Sequence, residues 1–141
     1  MKILILCTGN SCRSQMAHGF LQSFDKNLTV CSAGTLPAER VNPLAINVML
    51  EAGIDISRHI PNPVEKFLDE EWNFVITVCD HAKETCPVFT GQVKKRLHIG
   101  FEDPSESVGS EEYILSRFRK VRDEIRIAFW QFYNENIGQH D

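Results

Sequence analysis

A cysteine and an arginine six residues apart, Cys7 and Arg13, stand near the amino terminus. The residues between them are small or turn-forming: Thr8, Gly9, Asn10, Ser11 and Cys12. A loop between a buried strand and a helix offers an anion free backbone N–H groups and the positive end of the helix dipole. A thiol there, beside an arginine, is expected to have a pKa below its ordinary value of about 8.5. The 7–13 loop therefore predicts a thiolate in an oxyanion pocket. The alternative is a turn with an inert Cys7.

A second pair of cysteines, Cys79 and Cys86, lies seven positions apart in a segment of helical pattern. On a continuous helix their Cα atoms would lie about 10.5 Å apart. A disulfide needs Cα atoms within about 7 Å, so the two thiols can pair only if the segment unwinds. Its modest helix propensity and the following Pro87 make unwinding plausible. The alternative is two cysteines beside a helix that never meet.

The elements that must position these residues follow from the pattern of apolar side chains. Strands are predicted at residues 2–6, 28–32, 74–78 and 97–99. Helices are predicted at residues 15–24, 43–51, 64–68, 80–86 and 110–133. Strands that alternate with helices, without a linker, predict one α/β domain over residues 1–141. Its centre is a four-stranded parallel sheet flanked by helices on both faces.

Three chemically active side chains fall at the carboxyl ends of predicted strands, where open parallel sheets bind ligands. Cys7 and Cys79 end two of the strands, and Asp103 follows a third by four residues. Neighbouring strands lie about 4.8 Å apart, so Cys79 can reach Cys7 if their strands are adjacent. Cys79 as a core-facing strand end and Asp103 as an ordinary turn residue remain alternatives.

Composition excludes several classes of function. A net charge of −4 gives no case for binding nucleic acid or an anionic membrane. No apolar run approaches the 18 or so residues of a membrane-spanning helix, and the amino terminus lacks a signal-peptide pattern. We therefore expect a cytoplasmic protein.

The five cysteines contain no Cys-x-x-Cys pair, which argues for catalysis rather than a disulfide framework. The spacing of Cys79, His81 and Cys86 matches no common zinc pattern, so no metal site is predicted. Cys12 is expected to pack within the loop, and Cys31 to be a small buried hydrophobic residue.

The stretch CTGNSCRSQMA, residues 7–17, resembles the active-site loop of thioredoxin-coupled arsenate reductases. These enzymes share the fold of the low-molecular-weight protein tyrosine phosphatases. The similarity continues, in order, through residues 32–34, 41–43, 53–57, 77–79, 86–87, 101–104 and 119–125. The loop is common to reductases and phosphatases, whereas Cys79 and Cys86 match the reductase pattern alone.

The resemblance implies that Cys7 attacks arsenic while the loop amides and Arg13 hold the oxyanion. Ser14 would donate a hydrogen bond that keeps Cys7 ionised, and Asp103 would protonate the leaving oxygen. Phosphate or sulfate would compete for the same pocket, and the protein is expected to be a monomer.

The same resemblance implies a relay of three thiols. Cys79 would attack Cys7 to release arsenite and form a Cys7–Cys79 disulfide. Cys86 would then attack Cys79, so that the disulfide moves to Cys79–Cys86. Thioredoxin would reduce that disulfide, although glutathione with glutaredoxin remains a possible reductant.

One departure from the family concerns potassium, which members can hold beside the loop with an asparagine, a serine and carboxylates. Asn10 and Ser32 match this pattern, but His18 and Asn62 stand where acidic ligands are expected. Because a hard cation prefers oxygen ligands and negative charge, we expect activity that requires no cofactor and no potassium.

Two other functions compete with the reductase. A phosphatase acting on phosphotyrosine or small phosphoesters needs only the loop, Arg13 and Asp103, but residues 105–109 lack aromatic side chains and Cys79 and Cys86 are left unused. A non-catalytic thiol sensor or arsenite-binding protein uses the cysteines and leaves Arg13 and Asp103 unexplained.

Overall fold

Strands and helices alternate along the chain, as the apolar pattern predicts. The computed structural model describes residues 1–138, so residues 139–141 of the predicted domain lie outside the described residues. The strands are β1 Lys2–Cys7, β2 Thr29–Gly34, β3 Trp72–Thr77 and β4 Val93–His98. The α-helices are α1 Arg13–Phe24, α2 Pro43–Glu51, α3 Asp80–Thr85 and α4 Glu111–Asn136, with short 3-10 helices at Val64–Phe67 and Pro104–Glu106.

The four strands form one parallel sheet in the order β2-β1-β3-β4. The central strand β1 has no exposed side chain from Ile3 to Leu6. Successive side chains of a strand point to opposite faces, so both faces of the sheet are covered there. The predicted four-stranded parallel α/β fold is therefore confirmed.

The long helix α4 covers the sheet with an apolar stripe. Phe118, Val121, Ile125 and Phe129 recur at helical spacing and are buried. The Ser110 hydroxyl accepts a hydrogen bond from the Tyr113 amide at 3.1 Å and caps the first turn. Within residues 1–138, no helix combines the length and the apolar character needed to cross a membrane.

Several predicted bounds differ from the observed ones by two or three residues, and two elements differ more. β4 begins at Val93, four residues before the predicted start, because the charged run Lys94, Lys95 and Arg96 lies inside an exposed edge strand. An edge strand carries charged side chains readily, so its sequence lacks an apolar signal. The predicted helix at residues 64–68 is a 3-10 turn, Val64–Phe67.

The end of β2 lies against the 7–13 loop. A Cβ atom at Gly34 would overlap the Thr8 carbonyl oxygen and would approach the Asn10 amide nitrogen to 3.0 Å. Only a glycine lets the backbone of β2 come this close to the loop.

We expect Gly34→Ala to weaken phosphate binding at the loop by tenfold or more and to lower the free energy of unfolding by about 1–3 kcal/mol. Urea unfolding and phosphate titration of the folded protein measure the two effects. Gly91→Ala is the matched control, because its Cβ would overlap the Glu70 carbonyl, away from the loop. That variant should lose stability and keep its phosphate affinity. Equal phosphate affinities in the Gly34→Ala and Gly91→Ala proteins would contradict the role of Gly34 in shaping the 7–13 loop.

Candidate active site

Successive carbonyl groups of the 7–13 loop turn away from its interior, because each accepts a hydrogen bond from outside the loop. The carbonyls of residues 7, 8, 9 and 11 accept from the amides of Thr35, Leu36, Ala38 and Asn42 at 2.8–3.2 Å, and that of residue 10 accepts from Gln15 Nε2 at 3.0 Å. In a planar trans peptide the N–H of the next residue points the opposite way. The N–H groups of residues 8–12 therefore converge on the loop interior, as an oxyanion requires.

Asn10 holds the loop in this conformation. Its φ of 51° lies in the left-handed region, which asparagine tolerates better than most residues. Its buried side chain donates from Nδ2 to the Ser14 hydroxyl at 2.8 Å, and its Oδ1 accepts from the backbone N–H of Asn62 at 2.8 Å. Both ends of the carboxamide are therefore fixed.

Arg13 begins α1 and has one buried donor left over. Its Nη1 donates to the Phe101 carbonyl at 3.0 Å, and its Nη2 lies 3.4 Å from Asp103 Oδ2. Its Nε is buried and has no hydrogen-bond partner among the described residues. A buried unpaired donor costs about 1–3 kcal/mol, so the site favours an oxyanion that satisfies it.

The strands of Cys7 and Cys79 are neighbours, as the predicted meeting of these thiols requires. β1 pairs with β3, and Leu6 is in register with Thr77. The Cys79 sulfur lies 3.2 Å from the Thr8 hydroxyl and accepts from the Ala82 amide at 3.4 Å, so it caps α3. Cys79 therefore lies beside the residue that follows Cys7, and each of the two thiols shifts the pKa of the other.

The pKa values of the two thiols shift in opposite directions. The pKa of Cys79 is lowered to about 5 by its interaction with Cys7 and by hydrogen bonds with the Thr8 hydroxyl and the Ala82 amide, although burial acts to raise it. The interaction with Cys79 and burial raise the pKa of Cys7 above its ordinary value and outweigh Arg13. Two adjacent thiols in a buried site cannot both ionise readily. The predicted lowering of the pKa of Cys7 is therefore wrong for this arrangement.

Cys86 stands at the other end of α3, where it caps the carboxyl terminus and is half-buried. Burial raises the pKa of this thiol. Because Cys79 and Cys86 flank a helix of six residues, the predicted Cys79–Cys86 disulfide requires the helix to unwind.

Two further predicted catalytic groups, Ser14 and Asp103, lie beside residues of the 7–13 loop. Ser14 is fully buried, and because its oxygen accepts from Asn10 its own proton remains to be donated. Its bond to Cys7 stays a prediction. Asp103 lies beside Arg13, while its Oδ1 accepts from the amide and hydroxyl of Ser105 at 3.0 and 2.6 Å.

A cleft of about 930 Å³ leads to these groups. Thr8, Arg13, Cys79 and Asp103 line it, together with further carboxylates at Asp80, Glu102 and Glu106. The carboxylates of the cleft disfavour large anionic substrates.

The remaining cysteines lie apart from the thiol pair. Cys12 is buried within the loop, as expected, and burial raises its pKa. Cys31 is only partly buried on β2 and not a full core residue, because β2 is an edge strand. Neither is an exposed thiolate.

A histidine pair stands where the sequence departs from the family pattern of potassium ligands. His18 Nδ1 lies 2.9 Å from the Ser32 hydroxyl, and the His18 and His59 rings have centroids 4.6 Å apart. Burial and the neighbouring His59 lower the pKa of His18 to about 4, so the ring is neutral at pH 7.

Comparison with known proteins identifies the family. Residues 2–140 match the family model described as low molecular weight phosphotyrosine protein phosphatase. The chain belongs to this family. Within it, the chain is 44% identical over 124 residues to an arsenate reductase of Halalkalibacterium halodurans, which covers 87% of this chain and 88% of the relative. It is 44% identical over 131 residues to an arsenate reductase of Staphylococcus aureus strain Newman, which covers 92% and 94%.

Comparison with solved structures agrees with this family membership. An arsenate reductase in the phosphate-binding state superposes with a TM-score of 0.80 at 32% identity, covering 95% of this chain and 97% of the other. A tyrosine phosphatase of Erwinia amylovora superposes with a TM-score of 0.77 at 17% identity, covering 95% and 91%, and shows the shared fold alone.

Sequence reasoning missed the side chains that support this phosphatase-family loop from behind. Gln15 donates to the Asn10 and Ile60 carbonyls, and His59 Nδ1 lies 2.9 Å from Gln15 Oε1. The available signal was a glutamine among the buried residues of α1, since a buried amide needs partners.

Replacing Thr8 by valine should raise the pKa of Cys79, because a hydrogen bond that stabilises the thiolate is lost while the shape is kept. At pH 6 the rate of iodoacetamide alkylation at Cys79, followed by mass spectrometry, should fall several-fold. Thr35→Val, which alters a hydroxyl without a hydrogen-bond partner in the described chain, is the control. An unchanged pH profile for Thr8→Val would show that this contact does not stabilise the thiolate.

Proposed function

We propose that this protein reduces arsenate to arsenite with the thiols of Cys7 and Cys79 as the electron donors. The observation that carries the proposal is the second thiol, Cys79, beside the nucleophile of an oxyanion loop. Two thiols that become one disulfide supply the two electrons of the reduction. Phosphoester hydrolysis has no use for this second thiol.

The first step binds arsenate against the N–H groups of residues 8–12 and the Arg13 guanidinium. The Cys7 sulfur attacks arsenic, and one arsenate oxygen departs as water with the Cys7 proton and a proton from Asp103. The raised pKa of Cys7 requires its proton to leave during this step. The proximity of Arg13 and Asp103 supports these roles.

In the second step the Cys79 thiolate attacks the Cys7 sulfur of the arsenic adduct. A sulfur–sulfur bond forms, the sulfur–arsenic bond breaks, and its electron pair leaves with arsenic as arsenite. The pKa of about 5 suits Cys79 to this step, because it is a thiolate at neutral pH.

The third step transfers the disulfide outward. The Cys86 thiol loses its proton as its sulfur attacks Cys79. The Cys7–Cys79 bond breaks, and the Cys7 sulfur leaves with the electron pair and takes up a proton to become a thiol. We propose thioredoxin as the reductant of the Cys79–Cys86 disulfide, acting on a monomer in the cytoplasm. Two observations support this proposal. Ala82 alone among the α3 residues is buried, so few core contacts oppose unwinding of the helix. The nearby Val88 side chain is 84% exposed and offers a partner protein an apolar contact.

The two competing functions explain less of the site. A phosphatase uses the loop, Arg13 and Asp103, so slow hydrolysis of small phosphoesters is expected as a side activity. A thiol sensor leaves unexplained the buried Arg13 Nε, which has no acceptor among residues 1–138. Neither uses the whole arrangement.

Arsenate-dependent NADPH oxidation with thioredoxin and thioredoxin reductase tests the relay. Cys7→Ser should abolish turnover, and Cys86→Ser should allow a single turnover that traps the Cys7–Cys79 disulfide, visible by mass spectrometry. Cys31→Ser, a thiol outside the site, should retain wild-type turnover. Sustained turnover by Cys86→Ser with thioredoxin would refute the third step. Phosphoester hydrolysis without arsenate turnover would favour the phosphatase.

We also propose that turnover requires no potassium and no other cofactor. The Ser32 hydroxyl bonds to His18, and Asn10 Oδ1 bonds to the Asn62 amide, so protein groups already use the oxygens that match the family's potassium ligands. A neutral histidine ring and a carboxamide replace the negative charge a cation prefers.

Turnover in potassium chloride and in sodium chloride at equal ionic strength should therefore be equal. The double variant His18→Glu with Asn62→Asp restores two carboxylates and should gain potassium stimulation. A several-fold rise in wild-type turnover when potassium replaces sodium would contradict the proposal.

A further inference from the structure

A chain of side-chain hydrogen bonds joins the ends of β3 and β4 to the start of α3. Thr77 and His98 are in register as the last residues of their strands, and the Thr77 hydroxyl lies 2.8 Å from His98 Nδ1. The other ring nitrogen, Nε2, lies 3.0 Å from Asp80 Oδ1. Because a carboxylate only accepts, Nε2 carries the proton. We call Thr77, His98 and Asp80 the α3 clamp.

Helix α3 depends on contacts at its ends. Six residues are too few for a helix that is stable on its own, and Ala82 alone among them is buried. A cavity of about 280 Å³ lies beside it, lined by Lys83 and Cys86 and by β3 and β4 residues that include Thr77 and His98. The helix is therefore not packed closely against β4.

The two ends of α3 are held differently. The amino-terminal end is tied to the sheet through Asp80 and to the 7–13 loop through the Cys79 sulfur. At the carboxyl end the Thr85 hydroxyl donates to the His81 carbonyl, the Cys86 amide to the Ala82 carbonyl and the Cys86 thiol to the Pro87 carbonyl. Those bonds all stay within the segment, so they break together if it unwinds.

We propose that His98 is a positioning residue that, through Asp80, fixes the first turn of α3 so that the helix unwinds from its carboxyl end. Asp80 directly follows Cys79, so the clamp keeps the Cys79 sulfur against Cys7 and Thr8 for the second step. The unclamped half then carries Cys86 to Cys79. This inference rests on the proposed relay and specifies which thiol moves in it.

The spacing of the cysteines agrees with this direction of unwinding. Cys86 must approach Cys79 by more than about 3 Å in Cα separation before a disulfide forms. If the amino-terminal end moved instead, Cys79 would leave Cys7 before the Cys7–Cys79 bond was made. A fixed first turn and a mobile second half serve both exchanges.

A single-turnover experiment tests the clamp in the Cys86→Ser background, where formation of the Cys7–Cys79 disulfide is followed by mass spectrometry after mixing with arsenate. His98→Ala and Asp80→Ala should slow it about fivefold, the loss expected for one net hydrogen bond. Asp80→Asn keeps an acceptor oxygen and should restore most of the rate. Glu84→Ala, which removes an exposed carboxylate from the same helix, should react like the parent protein.

Amide hydrogen exchange of the reduced protein without arsenate supplies a second readout. The Ala82 and Lys83 amides should exchange more slowly than those of Thr85 and Cys86, and His98→Ala should remove this difference while β1 is unaffected. This arm needs no turnover, so it tests the clamp even if arsenate is not the substrate.

Either of two results would overturn the inference. The first is that the Asp80→Ala protein forms the Cys7–Cys79 disulfide at the parental rate and keeps the parental pattern of amide exchange. The second is that Glu84→Ala slows disulfide formation as much as Asp80→Ala does. Because the Asp80 side chain is 88% exposed, its replacement leaves the core intact and keeps the test valid if His98→Ala fails to fold.

Discussion

The orientation of the peptide groups in the 7–13 loop is the constraint on which the rest of the site depends. Hydrogen bonds from residues 35–42 and from Gln15 draw the loop carbonyls outward and so turn the amides inward. The left-handed Asn10 and the missing side chain of Gly34 make this geometry possible. Neighbouring parts of the fold are thus arranged around one small ring of donors.

A second constraint is the contact between two thiols at the sheet edge. Since β1 and β3 are adjacent, a thiol stands at the carboxyl end of each of two neighbouring strands, and each thiol shifts the pKa of the other. The pKa of Cys79 is lowered, because a hydroxyl and a helix amide stabilise its thiolate. The same arrangement separates two roles. In the proposed reduction, the Cys7 sulfur bonds to arsenic, and the Cys79 sulfur is the nucleophile that forms the disulfide.

The sequence predicted the parallel sheet well, and the predicted site residues Arg13, Cys79 and Asp103 line one cleft of the fold. The local signals were the apolar run of β1 and the loop between Cys7 and Arg13. The start of β4 was predicted poorly, because three charged residues on an exposed edge carry no burial signal. The pKa order of Cys7 and Cys79 was also missed. This order depends on the effect of each thiol on the other, and the two cysteines are 72 positions apart in the sequence. They become neighbours only because β1 pairs with β3.

By itself, the sequence determined the residue types: an oxyanion loop, three separated thiols, an acid after the fourth strand, and non-acidic side chains at His18 and Asn62. These are chemical properties that each residue carries into any fold. Only the tertiary structure decided which thiol has the lowered pKa, which Arg13 nitrogen has no partner within the described chain, and that Asp80 meets His98. Those outcomes depend on distances and burial, which arise when strands pair and water is excluded.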